Sequence, residues 1–204
     1  MAAAPTHGVF VNCPFDDGYR PLFHAIVFAI HDCGYAVRSA LEINDSADVR
    51  LTKILRIMDE CQLGIHDISR TELDTTTGLP RFNMPLELGL FLGARHFGSA
   101  KQKKKTCLIL DRELRRYEKF ISDIKGMDIE SHADDPAQAI LAVRDWLDAR
   151  SPDILPDGSL IASRFAVFTS ELPGICATFK LRADRLTFKN HVQLVQRWLR
   201  LNSV

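Results

Sequence analysis

The sequence predicts an α/β protein, a five-stranded parallel sheet of order 2-1-3-4-5 carrying a helical extension at its C-terminal end. Three observations lead there. Short apolar runs alternate with helix-periodic stretches five times between residues 9 and 149, the pattern of a parallel sheet covered by helices on both faces. At 151–158 the composition turns to Ser-Pro-Asp-Ile-Leu-Pro-Asp-Gly, a run of turn formers that reads as a linker. Beyond it only helical periodicity remains. The expected division is an α/β domain over 1–150 and an extension over 151–204.

Each element has its own signal. Residues 9–13 form an apolar strand closed by Pro14, and 19–33 place Leu22, Phe23, Ile26, Val27 and Ile30 at helical spacing before Gly34 stops the helix. A second strand covers 35–41 and runs into a polar loop over 42–48. Leu51, Ile54, Leu55, Ile57 and Met58 mark a helix over 49–61, and 62–68 is the third strand. The threonine-rich loop 70–80 is long enough to rim a site. Asn83 is a good N-cap and Pro85 is tolerated in a first turn, so a helix is expected over 84–96. Leu86, Leu88, Leu90, Phe91, Leu92 and Ala94 surround that helix, which implies burial on more than one side.

Lys101, Lys103, Lys104 and Lys105 read as a solvated loop before the fourth strand, 106–110. Leu114, Tyr117, Phe120 and Ile121 predict a helix within 111–123, a short fifth strand follows at 127–130, and Ala139, Ile140, Val143, Trp146 and Leu147 build a helix over 136–149. In the extension, helices are expected over 160–172, 174–181 and 188–201.

Composition excludes several functions. The 204 residues hold 26 basic and 26 acidic side chains, and a neutral total argues against nucleic acid or anionic membrane as the main partner. The five cysteines lie far apart with no Cys-x-x-Cys pair, so neither a disulfide framework nor a zinc site is expected and a reducing cytoplasm fits. The N-terminus lacks a basic segment followed by an apolar core, and no run is expected to reach the ~18 apolar residues of a membrane span. No glycine-rich phosphate loop follows the first strand, which disfavours a nucleoside triphosphatase or a dinucleotide oxidoreductase. The histidines never fall at metal-ligand spacing, and His24 and His31 read as structural.

In an open parallel sheet, ligands bind beyond the carboxyl ends of the strands where strand order reverses, here between the first and third. Phe15 and Asp16 follow strand one, Glu42 follows strand two, Asp67 ends strand three, and Arg81, Asn83 and Glu87 sit at the helix after it. Asn83 and Glu87, four residues apart, share a face near the helix end that favours anions. Carboxylates converging on one rim suit a sugar-containing ligand, because they accept bonds from hydroxyls and stabilise a developing oxocarbenium ion. The same residues read equally as caps, Asp16 above all for the first helix. Cys13 reads as a small buried strand-end residue, or as a nucleophile only if a base stands beside it.

Residues 9–15, residues 64–69 and above all Asn83-x-x-x-Glu87-Leu88-Gly89 resemble the TIR-like and nucleoside 2-deoxyribosyltransferase-like group, over roughly residues 8–149. The resemblance implies a flavodoxin-like sheet and a glutamate, Glu87, that works on the N-glycosidic bond of NAD or of a nucleoside. It implies Asp67 as the strand-end acid of the transferases. The strand-end reading adds Asn83, Phe15, Asp16, Glu42 and Arg81 as the expected pocket lining. NAD would then be a substrate, with no cofactor. Bacterial TIR-like proteins often act in antiphage defence under control of an attached domain, which gives the C-terminal helices an expected part in assembly of a homo-oligomer. Pro85 inside the motif and the helical C-terminus depart from both families. Three functions follow: a NAD glycohydrolase, a deoxyribosyltransferase with a covalent sugar intermediate on Glu87 and Asp67 as acid, and a module that binds a nucleotide-derived ligand without turnover.

Overall fold

The computed structural model describes residues 8–42, 45–74 and 77–202. Residues 43, 44, 75 and 76, in the two loops expected to rim the sheet, lie outside that set. Strands β1 (Gly8–Asn12), β2 (Ala36–Arg38), β3 (Leu63–Asp67), β4 (Thr106–Asp111) and β5 (Ile129–Ser131) form one parallel sheet in the order β2-β1-β3-β4-β5. This is the flavodoxin-like α/β fold. The register sets Val11 beside Ile65 and Ile65 beside Leu108, so their side chains share one face of the sheet.

That face carries helices α1 (Arg20–Asp32) and α4 (Pro136–Asp148), with α5 (Gly158–Thr178) and α6 (Phe188–Leu201) packed over them. All eight residues from Leu22 to Ile30 other than His24 are buried in α1, because this helix lies between the sheet and the extension and has almost no free side. The opposite face takes α2 (Arg50–Glu60) and α3 (Asn83–Phe97), where Phe10, Ile54, Ile57, Met58 and Phe91 form a second cluster. Gly64 is needed there. A β-carbon on it would fall 2.8 Å from Phe91 and 2.9 Å from His66, closer than packing permits.

Several elements differ from the expectation. The stretch 111–123 is not a helix but two 3₁₀ turns, Arg116–Lys119 and Ser122–Ile124, with Arg115 in the left-handed region at φ 60°. The guanidinium of Arg116 is drawn inward to Asp111, Ile68 and Ser69, and this tertiary demand overrides a helical stripe. Helix α3 begins at Asn83 itself, with Phe82 at the cap and no side-chain cap bond. It is buried on one side only, through Met84, Glu87, Leu88 and Phe91, while Leu86 is exposed. Lys105 is not solvated. It is 2 % exposed, its ammonium donates to the Met58 and Cys61 carbonyls that end α2, and it lies over the Phe91 ring.

The extension is two helices rather than three. Helix α5 continues through Pro173, which is exposed and costs one backbone bond on the outer side. It is also long and apolar enough to cross a membrane, contrary to the expectation that no run would be, although its charged residues are engaged within the fold. Arg164 pairs with Asp32 of α1 at 3.1 Å, and Glu171 accepts from Trp198 Nε1 of α6 at 2.7 Å. The linker is pinned. Arg144 donates to the carbonyls of Leu155 and Pro156, Leu155 is buried, and a β-carbon on Gly158 would meet Leu141 at 2.5 Å.

Candidate active site at the strand ends

Three strands deliver polar residues to their carboxyl ends. Asn12 closes β1, Asp67 closes β3 and Asp111 closes β4, and each is buried. Asn12 Nδ2 donates to the Met84 carbonyl at 2.9 Å, which latches the first turn of α3 onto β1. Met84 and Glu87 are three residues apart, so the latch turns Glu87 inward as well. The same amide nitrogen lies 3.1 Å from His66 Nδ1. Burial, aided by the nearby Lys105 charge, lowers His66 to about 3, so the ring is neutral and Nδ1 accepts.

Asp67 has no exposure and is enclosed by donors. Tyr19 donates its hydroxyl to Oδ2 at 2.6 Å and the Ser69 amide donates to Oδ1 at 2.8 Å. His132 Nε2 stands 3.0 Å from Oδ2, a close polar contact whose angle falls short of a full hydrogen bond. Because His132 Nδ1 accepts from the Asp134 amide at 2.9 Å, the ring proton is on Nε2 and faces Asp67. Ala133 and Asp134 both take left-handed backbone, at φ 51° and 56°, to close this contact. Asp67 thus joins α1, β3 and the turn after β5. A carboxylate so held is an anchor: it accepts from Tyr19 and Ser69 and faces His132, all within the fold.

Glu87 is the opposite case. It is only 8 % exposed, yet among the described residues no hydrogen bond or ion pair reaches its carboxylate. Burial raises its pKa to about 7, and the charge of Arg50 at the start of α2 offsets this only in part. Cys13, just past β1, marks the common ground between the carboxylates. Burial pushes its thiol well up, and the charges of Asp67, Glu87 and Asp16 all add to the shift, so the thiol stays protonated and is no nucleophile.

The remaining expected residues divide. Asp16 caps the turn into α1, accepting from the Tyr19 amide at 3.0 Å, and its other oxygen faces Arg81 at 3.7 Å. Arg81 also reaches Asp74 at 3.9 Å, so Asp16 and Arg81 form one edge of the rim. Glu42 turns to the outer edge of the sheet, where Arg38 holds it bidentately, Nη2 on Oε1 at 2.6 Å and Nε on Oε2 at 3.0 Å. Phe15 meets Phe23 edge-to-face, and Phe23 stacks on Phe188, so its ring leads toward the extension. Asn83 is exposed at the first turn of α3. Asn12, Tyr19, His132 and Arg116 were missed. Asn12 bonds Met84 across 72 residues, Tyr19 bonds Asp67 across 48 and Arg116 reaches the Ile68 carbonyl across 48, and the only sequence signal was polar residues at ends of apolar runs.

Similarity to known proteins adds nothing to this geometry. No family model, curated protein or solved structure matches the chain. The site is therefore read on its own chemistry: one buried carboxyl free to act, held at a strand-order reversal, beside a neighbour that is structurally occupied.

Proposed function

We propose that the protein is a hydrolase of the nicotinamide–ribose bond of NAD, with Glu87 as the catalytic carboxylate. The observation that carries this reading is Glu87, only 8 % exposed at the switch point of the sheet, its carboxylate reaching solvent with no partner among the described residues. A carboxyl with a raised pKa and no partner in the fold is a candidate to meet a ligand.

The choice of NAD over a nucleoside is supported by what each bond needs. Departure of a base from an ordinary nucleoside needs an acid, and Asp67 is enclosed by Tyr19, Ser69 and His132. Nicotinamide leaves NAD as a neutral molecule from a cationic ring and needs none. The cationic sugar that remains is stabilised by an anion at close range, which ionised Glu87 supplies in a low-dielectric setting. Water then adds to the sugar carbon, giving ADP-ribose and releasing one proton. This favours the glycohydrolase over the deoxyribosyltransferase.

The test is nicotinamide release from NAD, followed by mass spectrometry. Wild-type protein releases nicotinamide, and Glu87→Gln, which keeps the shape and loses the charge, falls by roughly a hundredfold or more in kcat. Equal rates for the two proteins would remove Glu87 from the chemistry.

A further inference from the structure

Arg70 follows the anchor segment Asp67-Ile68-Ser69, and the chain on both sides of it is clamped. Arg116 donates to the carbonyls of Ile68 and Ser69 at 3.0 and 2.8 Å and to the Thr71 hydroxyl at 3.1 Å. Glu72 is held by Arg112 at 2.6 Å. Arg70 itself is uncommitted. Its Nε is buried without an acceptor, and among the described residues no ion pair or hydrogen bond ends on its guanidinium. Neighbouring carboxylates do not neutralise it: Asp67 is spent on Tyr19, Ser69 and His132, and Asp16 faces Arg81 and the Tyr19 amide.

The guanidinium stands at the turn into α1. Arg70 Nη2 lies 3.9 Å, and Asp16 Oδ1 3.3 Å, from the position a β-carbon on Gly18 would take, and the Arg70 charge also acts on Tyr19, which holds Asp67. Arg50, at the start of α2 and likewise without an ion pair or hydrogen bond among the described residues, lowers the Glu87 pKa through its charge. A buried guanidinium nitrogen left without an acceptor is best met by an anion. A neutral sugar or base offers the buried Nε nothing equivalent.

Building on the NAD reading of Glu87, we infer that Arg70, held by the Arg116 clamp beside Gly18, is a phosphate seat that restricts the site to phosphorylated ribosyl ligands. Arg70 is a specificity residue here. It binds the phosphate and takes no part in the bond that breaks.

Nicotinamide riboside carries the same scissile bond as NAD and no phosphate, and ADP-ribose carries the phosphates without that bond. Turnover of the first two and calorimetric binding of the third are compared for wild type, Arg70→Gln and Arg70→Lys, with melting curves as a check on folding. Arg70→Gln is expected to weaken ADP-ribose binding and lower kcat/KM for NAD by roughly ten- to a hundredfold, chiefly through KM, while nicotinamide riboside turnover stays within about twofold. Arg70→Lys recovers part of the loss. Wild type that binds ADP-ribose no better than Arg70→Gln, or that hydrolyses the riboside as well as NAD, overturns the phosphate seat. Arg70-dependent ADP-ribose binding without nicotinamide release would uphold the seat and remove the glycohydrolase reading instead.

Discussion

Keeping Glu87 buried has a cost that can be measured. Its pKa rises from the usual carboxylate range to about 7, so the folded protein holds a proton that the unfolded chain has released. The sign follows. Glu87 costs nothing below pH ~4.5, and its penalty grows as pH rises toward 7, reaching about 3 kcal/mol once the folded group is fully ionised. Glu87→Gln is therefore expected to melt above wild type at pH 8 and to match it near pH 4, as read by thermal denaturation at both pH values. Catalysis runs the other way. The ionised form stabilises the cationic sugar, so kcat is expected to climb about tenfold between pH 6 and 8 with an inflection near 7. A flat profile across that range would mean that the carboxylate is not the group that titrates in turnover.

At the scale of elements, α1 and α6 meet through histidines. The His24 and His191 rings stack at 3.7 Å, His191 is 2 % exposed with neither ring nitrogen bonded, and His31 stands on the same face of α1. Burial lowers His24 and His31 to about 4 and His191 well below its usual value, with the charges of Arg20 on His24 and of both α1 histidines on His191 adding to the effect. The carboxylate of Asp32 is taken by Arg164 of α5. Imidazoles with depressed pKa support the fold above pH 6.5, and that support is lost as pH falls toward 4, at about 2 kcal/mol for each of His24 and His31 by pH 5. Acid should open α6 first. Hydrogen exchange over 188–201 is expected to rise below pH 5, and His191→Phe, which keeps a flat ring, is expected to shift that rise to lower pH; an unchanged midpoint would release the histidines from the role. Such a contact shows how far sequence reading reaches. Helical spacing located α1 and α6, and His24 and His31 were read as structural, but His191 lies 167 positions from His24 and nothing local links them. The same limit hid Asn12 and Tyr19, whereas Glu87 was legible because Asn83, Pro85 and the following leucines define its helix within a dozen residues. Glu42 misled for a related reason: a carboxylate after a strand looks the same whether it faces a ligand or an arginine four residues back.

The whole molecule carries one continuous core on the α1 side of the sheet, and this bears on whether residues 151–204 act as an appendage. Phe28 of α1 touches Phe165 and Phe168 of α5 and Trp198 of α6, with ring centroids 5.5 to 5.8 Å apart. Removing the extension would bare the outer side of α1, where Phe28 has no exposure, and apolar surface of that kind drives collapse or aggregation. The linker of turn formers marks where the extension begins, and there its carbonyls are held by Arg144 and Leu155 is inside the core. Turn chemistry marks a change of direction and carries no information about what packs on what. The two tryptophans test this, since Trp146 belongs to α4 and Trp198 to α6, and both are buried. Trp146→Phe and Trp198→Phe each leave one fluorescent reporter, in the sheet layer or in the extension. At pH 8 the two reporters are expected to give coincident urea transitions, each at the midpoint its variant shows by far-ultraviolet dichroism, because a shared core cannot come apart in pieces without exposing Phe28. At pH 4.5, with the histidine contact weakened, the Trp198 reporter is expected to move first, and a Trp198 transition already separate at pH 8 would mean that the extension folds on its own.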